Sequence, residues 1–284
     1  MKHIIGLLVL MFGTYIATAQ YYDSVSFVNA GWSVQKIDRK VKLYRFHFNN
    51  KNLFEANENI SYIKIKPGRA NEFDIAAEPQ KLRTVSDFSK EKKATATING
   101  NFFDVKNGGA VDFTKVDGVV INENRTGKNE KLGAHQKAAV VINNGELAIK
   151  KWDGLVNWPE WLKEPDVMLN GPLLLINRQN ETLDSNSFSV TRHPRTCVGV
   201  TKRGHVIMLV VDGRNANSAG MSLFELTKIM RWLGCVSAIN FDGGGSSTLW
   251  AKEQGVVNYP TDNRKWDHDG ERKVANVLYL KRRK

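Results

Sequence analysis

The amino-acid sequence predicts an α+β fold: a mixed, largely antiparallel sheet with a few packed helices and a strand-rich N-terminal part. Three observations support this. Apolar and polar residues alternate at period two through much of the first third of the chain. Short apolar runs recur after that, often in pairs across turn-forming residues, as in hairpins. Helical apolar stripes mark residues 84–93 and 222–233.

Residues 41–48 and 60–66 read as half-buried strands, and Pro67-Gly68 ends the second with a turn. Residues 84–93 form a short amphipathic helix that Thr84 or Ser86 caps, and a strand over 94–98 follows. Residues 138–142 and 146–150 make a hairpin, its Asn144-Gly145 step supplying the positive φ of the turn. Strand pieces at 167–169 and 173–176 flank Asn170-Gly171-Pro172, and a second hairpin joins 197–200 to 205–211. Leu223, Leu226, Ile229, Met230 and Leu233 line one face of the best-marked helix. Ser222 and Glu225 fit a capping box at its start, and Gly234 sits where a left-handed C-cap belongs. Strands over 235–239 and 274–280 complete the set. The Trp-rich stretch 152–161 is a long connection whose aromatics either stack on a sugar or cover the core.

Residues 1–19 have the layout of an export signal. Lys2 and His3 precede an apolar core from Ile4 to Phe12, and Ala17-Thr18-Ala19 resembles a cleavage site. That core is too short to span a bilayer, and no Cys follows the cleavage point to carry a lipid. The mature chain is expected to start at Gln20 and to be periplasmic or secreted, with no membrane span. Its expected organisation is a strand-rich region over 20–93 packed on a main domain over 94–284.

The net charge is +12, and the 41 basic residues are dispersed except for the tail Lys281-Arg282-Arg283-Lys284. Such a surface suits an anionic partner or is simply solvated. No zinc-knuckle, RNA-recognition or helix-turn-helix pattern favours nucleic acid as that partner. Cys197 and Cys235 occupy apolar strand contexts, where a disulfide and two buried thiols are equal alternatives. No Cys/His spacing points to a metal.

The loop Asn240-Phe241-Asp242-Gly243-Gly244-Gly245-Ser246-Ser247-Thr248 directly follows a short buried strand. Three glycines reach φ > 0 freely, so their N–H groups can converge into an anion-binding cradle beside Asp242. It is not a Walker loop, because Ser246 stands where the Lys belongs. Nor is it a nucleophile elbow, because Thr248 replaces the second glycine. Four further polar clusters also stand at predicted strand ends: Asn99/Asn101/Asp104, Asn170-Gly171, Arg192-His193-Pro194-Arg195-Thr196 and Asp212-Gly213-Arg214. Five together suggest loops gathered at one sheet edge around an anionic ligand.

These segments, in this order from about residue 94 onward, resemble the phosphodiester glycosidase family. The resemblance rests on Asn99–Asp104, Asn170–Pro172, Arg195–Gly199, Asp212–Arg214 and Asn240–Thr248. It implies hydrolysis of a sugar-1-phosphodiester of the N-acetylglucosamine-1-phospho type at its glycosidic side, releasing free sugar and a phosphomonoester. Asp242 and Asp212 are the candidate nucleophile or base, and Arg195 the candidate phosphate clamp. Asn99, Asn101, Asp104, Asn170, Gly171, His193, Arg214, Gly243, Gly244, Gly245, Ser246 and Ser247 are the expected substrate contacts. His193 is equally a general acid or a structural loop histidine, and Glu225 reads first as a cap. No cofactor is expected. The alternative for Asp212 with Asp242 is a site for a hard cation, although no Asp-rich calcium loop is present. A binder of phosphorylated glycans without catalytic activity is the alternative function.

Overall fold

The structure, a computed structural model, describes residues 22–125, 131–155 and 157–283. The expected export signal lies outside them. Strands dominate, every pairing among the described residues is antiparallel, and the expected single sheet is instead three. The first has eight strands in the order β1 (Ser33–Asp38), β2 (Val41–Leu53), β3 (Ala56–Ile65), β14 (Val206–Val211), β13 (Arg195–Thr201), β15 (Cys235–Asn240), β11 (Leu173–Ile176), β12 (Gln179–Asn180). The second runs β7 (Val119–Asn122), β6 (Thr114–Val116), β10 (Asp166–Asn170), β8 (Ala138–Asn143), β9 (Glu146–Lys151). The third runs β17 (Gly255–Val256), β16 (Leu249–Ala251), β5 (Ala96–Asn99), β18 (Asn276–Arg282), β4 (Asn71–Ala77). Helices are few: α1 over residues 22–28, α2 (Val85–Glu91), α3 (Ser187–Val190) and α4 (Leu223–Trp232).

All three sheets turn one face onto a shared apolar core that includes Leu43, Ile63, Ile98, Val140, Met168, Met208, Ile239 and Leu278. The central strands of the first sheet are covered on both faces. Met208 and Val210 enter the shared core, while Ile207, Leu209 and Val211 face α4 and the aromatic group Phe27, Phe48 and Phe54. Burial on both sides explains the unbroken apolar run of β14, where a half-exposed strand would alternate. Residues before Ala94 are threaded into this frame: β3 pairs with β14 and β4 with β18.

Local chemistry accounts for the helices. Thr84 caps α2 by accepting from the Asp87 N–H. The Ser222–Glu225 capping box forms as expected, Gly234 adopts φ +80°, and Glu225 also takes the Arg192 guanidinium at 2.5 Å. In the Trp-rich stretch, Trp158 is buried under the second sheet and donates Nε1–H to Gln136 O at 3.2 Å, while Trp161 is exposed. Its buried tryptophan therefore covers core. Cys197 and Cys235 are free, buried thiols.

Leu226 of α4 is fully buried against β13–β15. Leu226→Ala should cost about 2–5 kcal/mol by deleting core volume. Ser222→Ala, which removes only a cap, should cost about 1 kcal/mol. Urea denaturation of the two variants measures the contrast.

Candidate active site

The strand register places one set of strand ends together. Arg195 opposes Val211, Val211 opposes Ile60, Cys197 opposes Asn240, and Val277 opposes Asn99. At this end, buried amides join the three sheets. Asn99 Oδ1 accepts from Thr196 Oγ1 at 2.9 Å and from the Thr248 N–H at 3.1 Å, and its Nδ2 donates to Asp242 O at 2.8 Å. Asn276 Nδ2 donates to Asn101 Oδ1 at 2.7 Å, and Asn101 Nδ2 donates to Thr114 Oγ1 at 3.1 Å. Asn240 Nδ2 donates to Gly171 O at 2.9 Å. Asn99 and Asn101 are thus satisfied inside the protein and set the backbone of the site rather than reaching a sugar.

The glycine loop departs from the expected N–H cradle. Only Gly244 has positive φ, +62°. Its N–H donates to Pro194 O at 2.9 Å, while the N–H groups of Ser246 and Ser247 donate back to Gly243 O and Gly244 O. The glycines instead permit close approach. A Cβ on Gly243 would lie 2.7 Å from Pro194 O, and one on Gly244 would lie 3.1 Å from the Arg214 guanidinium. One on Gly245 would lie 2.6 Å from the Arg272 guanidinium and 2.7 Å from Asp262 Oδ1. Positive charge at the loop therefore comes from side chains, Arg214 and Arg272.

Arg195 is not positioned as a phosphate clamp. It is buried, and its Nε and Nη2 donate to Met221 O at 2.7 Å, Phe188 O at 2.7 Å and Thr191 O at 2.9 Å. A guanidinium held by three carbonyls orders the 188–195 loop. Asp212 is likewise a hub: it accepts from Asn59 Nδ2, Asn258 Nδ2 and the Tyr259 N–H at 2.8, 2.8 and 3.0 Å. Burial still lifts its carboxyl to about 6 against those bonds. Asp104 lies apart in its own turn, binding the Lys106 and Asn107 N–H groups, the Asn107 amide and Arg125. His193 bridges its backbone to Met221, and burial, with Arg195 and Arg214 nearby, lowers its imidazole pKa from the ordinary value. Ser247 Oγ lies 3.1 Å from Thr196 Oγ1, which accepts its hydroxyl proton while donating its own to Asn99.

Asp242 is different. It is half-buried at the end of β15, its carboxyl pushed up to about 6 by desolvation, with Ser246, Arg272 and the Gly243 N–H pulling the other way. Asp112 and His135 lie within electrostatic reach of it. His135 Nδ1 meets Asp112 Oδ1 at 2.8 Å. Burial opposes charge on that imidazole, yet Asp112, with Asp242 beyond it, holds its pKa above the ordinary value. Around this group, buried polar atoms lack protein partners: Asp112 Oδ2, both polar atoms of the Asn170 amide and Asn240 Oδ1. Such a concentration of unmet hydrogen-bonding capacity marks a place built for a polar ligand or bound water. Gly171 permits the approach of the histidine's loop, since a Cβ there would lie 2.4 Å from Ala134 O.

Two cavities flank these groups. One, about 360 Å³, is lined by Phe102, His135, Pro172, Asp184, Asn186 and Phe188 among others. The other, about 450 Å³, is lined by Arg214, Asn215, Thr261, Asp262, Arg264 and Arg272. Asp112, His135 and Arg272 escaped the sequence reading because no motif surrounds the first two and the third sits in an unpatterned polar loop. Among the described residues, no group of three His, Cys, Asp or Glu side chains is arranged to hold a metal. No described helix is long and apolar enough to cross a membrane.

An antiparallel scaffold with an acid, a His–Asp pair and an arginine-lined cavity at one sheet end has the elements of a hydrolytic site. The chain belongs to the phosphodiester glycosidase family, whose model matches residues 92–281. It is 27% identical over 197 residues to the mouse N-acetylglucosamine-1-phosphodiester α-N-acetylglucosaminidase, covering 65% of this chain and 37% of the mouse protein. The human protein of the same name is 24% identical over 196 residues, covering 63% and 36%. The alignments thus span little more than a third of the mammalian proteins. The catalytic domain of the zebrafish protein of that name superposes with a TM-score of 0.65 at 20% identity, covering 89% of this chain and 88% of that one. A hypothetical protein from Synechocystis does so with a TM-score of 0.65 at 14% identity, covering 89% and 64%. At 89% coverage the shared fold must include strands that precede the family match.

Two expectations follow for stability. Gly243→Ala meets a backbone carbonyl and should cost about 1–3 kcal/mol, whereas Gly245→Ala meets movable side-chain ends and should leave the Tm near wild type. Asp242 has a folded pKa raised from 3.8 to about 6, so the stability of its protonated form is lost as pH rises across that window. Asp242→Asn should therefore melt above wild type at pH 7, with the difference vanishing below about pH 3.8. Calorimetry across pH tests this.

Proposed function

We propose that the protein is an exported hydrolase that cleaves the glycosidic bond of a sugar-1-phosphodiester of the N-acetylglucosamine-1-phospho type. The products are free sugar and a phosphomonoester. The observation that carries this is the position of Asp242: its loop packs on Arg214 and Arg272, and His135 and Asp112 lie within electrostatic reach. Free sugar fits the cavity with Phe102 and Phe188, whose rings offer apolar faces beside the polar groups of Asp184 and Asn186.

Each group then has a chemical task. Cleavage between the anomeric carbon and the bridging oxygen passes through an oxocarbenium-like state. The departing phosphate has a second pKa of about 6, so it leaves without a general acid. Arg214 and Arg272 stabilise the charge it gains. Asp242, ionised above about pH 6, serves the anomeric centre. His135, oriented through Nδ1 by Asp112, keeps Nε2 for substrate. Asp212, Asn99 and Arg195 act as positioning groups.

Turnover of N-acetylglucosamine-1-phospho-mannose, followed as released sugar, is the direct test. Asp242→Asn should abolish release, and wild-type kcat/KM should fall about tenfold per pH unit below about 6. Arg214→Ala should lose about 10²-fold on the diester, with little further loss on an activated aryl glycoside, which has no phosphate to clamp. Tight binding with no turnover in wild type, unchanged by Asp242→Asn, would establish the binder of phosphorylated glycans instead.

A further inference from the structure

The arginine-lined cavity carries more positive charge than one phosphodiester needs. Of its three arginines, Arg272 is paired with Asp262, Nε to Oδ1 at 2.8 Å. The guanidinium groups of Arg214 and Arg264 make no ion pair or hydrogen bond among the described residues; Arg264 bonds only through its backbone N–H, to Thr261 O at 3.1 Å. Both are held in left-handed backbone conformations, φ +60° and +61°, which non-glycine residues adopt at a cost. Thr261 Oγ1, on the same wall, is buried and without a partner. Arg214 touches the catalytic loop at Gly244, so it meets the phosphate next to the scissile bond. Arg264 then stands beyond it as an unmatched cation, beside an unmatched hydroxyl, in a space of about 450 Å³.

We propose that the group esterified on the far side of the phosphate is itself acidic. It carries a carboxylate or second phosphate that Arg264 receives by charge-assisted hydrogen bonds, with Thr261 Oγ1 donating a further one. This rests on the function proposed above and narrows its substrate class: the preferred substrate is a sugar-1-phosphodiester with an acidic aglycone. Such a substrate brings two negative charges to two unpaired arginines, whereas a neutral aglycone leaves Arg264 without an anionic partner.

The test uses product-like ligands, so it does not depend on turnover. Calorimetric affinities of the full chain are compared for glycerol 3-phosphate, 3-phosphoglycerate and glycerol 1,3-bisphosphate at physiological salt. The two acidic ligands should bind about tenfold or more tightly, and the larger gain names which anion the site takes. Arg264→Gln should bring that preference close to unity, and Thr261→Val should reduce it; Arg264 is exposed, so its variant is expected to fold. Equal affinities for all three ligands would overturn the acidic-aglycone assignment even if a neutral diester is hydrolysed. So would a preference that survives Arg264→Gln, since it would then reflect only the basic surface. Tight, Arg264-dependent binding with no cleavage of any diester would leave the anion subsite standing and remove the hydrolase function instead.

Discussion

The structure depends on a small set of buried side-chain amides. Asn99, Asn101, Asn240, Asn258 and Asn276 are all fully or nearly fully buried at the one end where three sheets meet. Sheets that merely stack on a common apolar core are free to slide, because dispersion and the hydrophobic effect have little directionality. Amide hydrogen bonds have direction, and breaking one inside the protein leaves a desolvated dipole. Asn99 alone fixes a strand of the first sheet, the start of the Thr248 segment and the carbonyl of Asp242. The position of Asp242 therefore follows from the same bonds that tie the sheets together.

The division between structural and chemical groups follows from satisfaction rather than from residue type. Asp212 and Asp242 have similar sequence settings, each opening a loop after a buried strand, and both carboxyls are lifted to about 6. Asp212 is enclosed by three donors and so is locked in place. Asp242 lies among atoms that still lack partners. Arg195 and Arg214 show the same contrast, one filled by carbonyls and the other open.

That contrast also explains what was legible in the sequence. Period-two strands, the α4 capping box and the Asn144-Gly145 hairpin depend on neighbours in the chain, and all are found where expected. The clustering of polar strand ends was legible too, since register brings Asn99, Asn170, Asp212 and Asp242 to one side. Which arginine faces solvent is decided by loops from distant parts of the chain, so Arg195 and Arg214 could not be told apart beforehand. The pairing of His135 with Asp112 spans a similar gap and leaves no local pattern. Three glycines suggested an anion nest, but the same composition serves equally well where backbone must pass close to Pro194.

The place of β3 has a practical consequence. It lies between β2 and β14 in the largest sheet, and Asn59 and Glu58 near its start hold Asp212 and the 218–220 segment. A fragment cut at the limits of the family match would keep almost every residue of the site, yet would leave β14 as a bare edge. Its apolar faces and open backbone groups would then template pairing between molecules. The segment that carries the least family resemblance is thus the one that covers the open edge of the recognisable part.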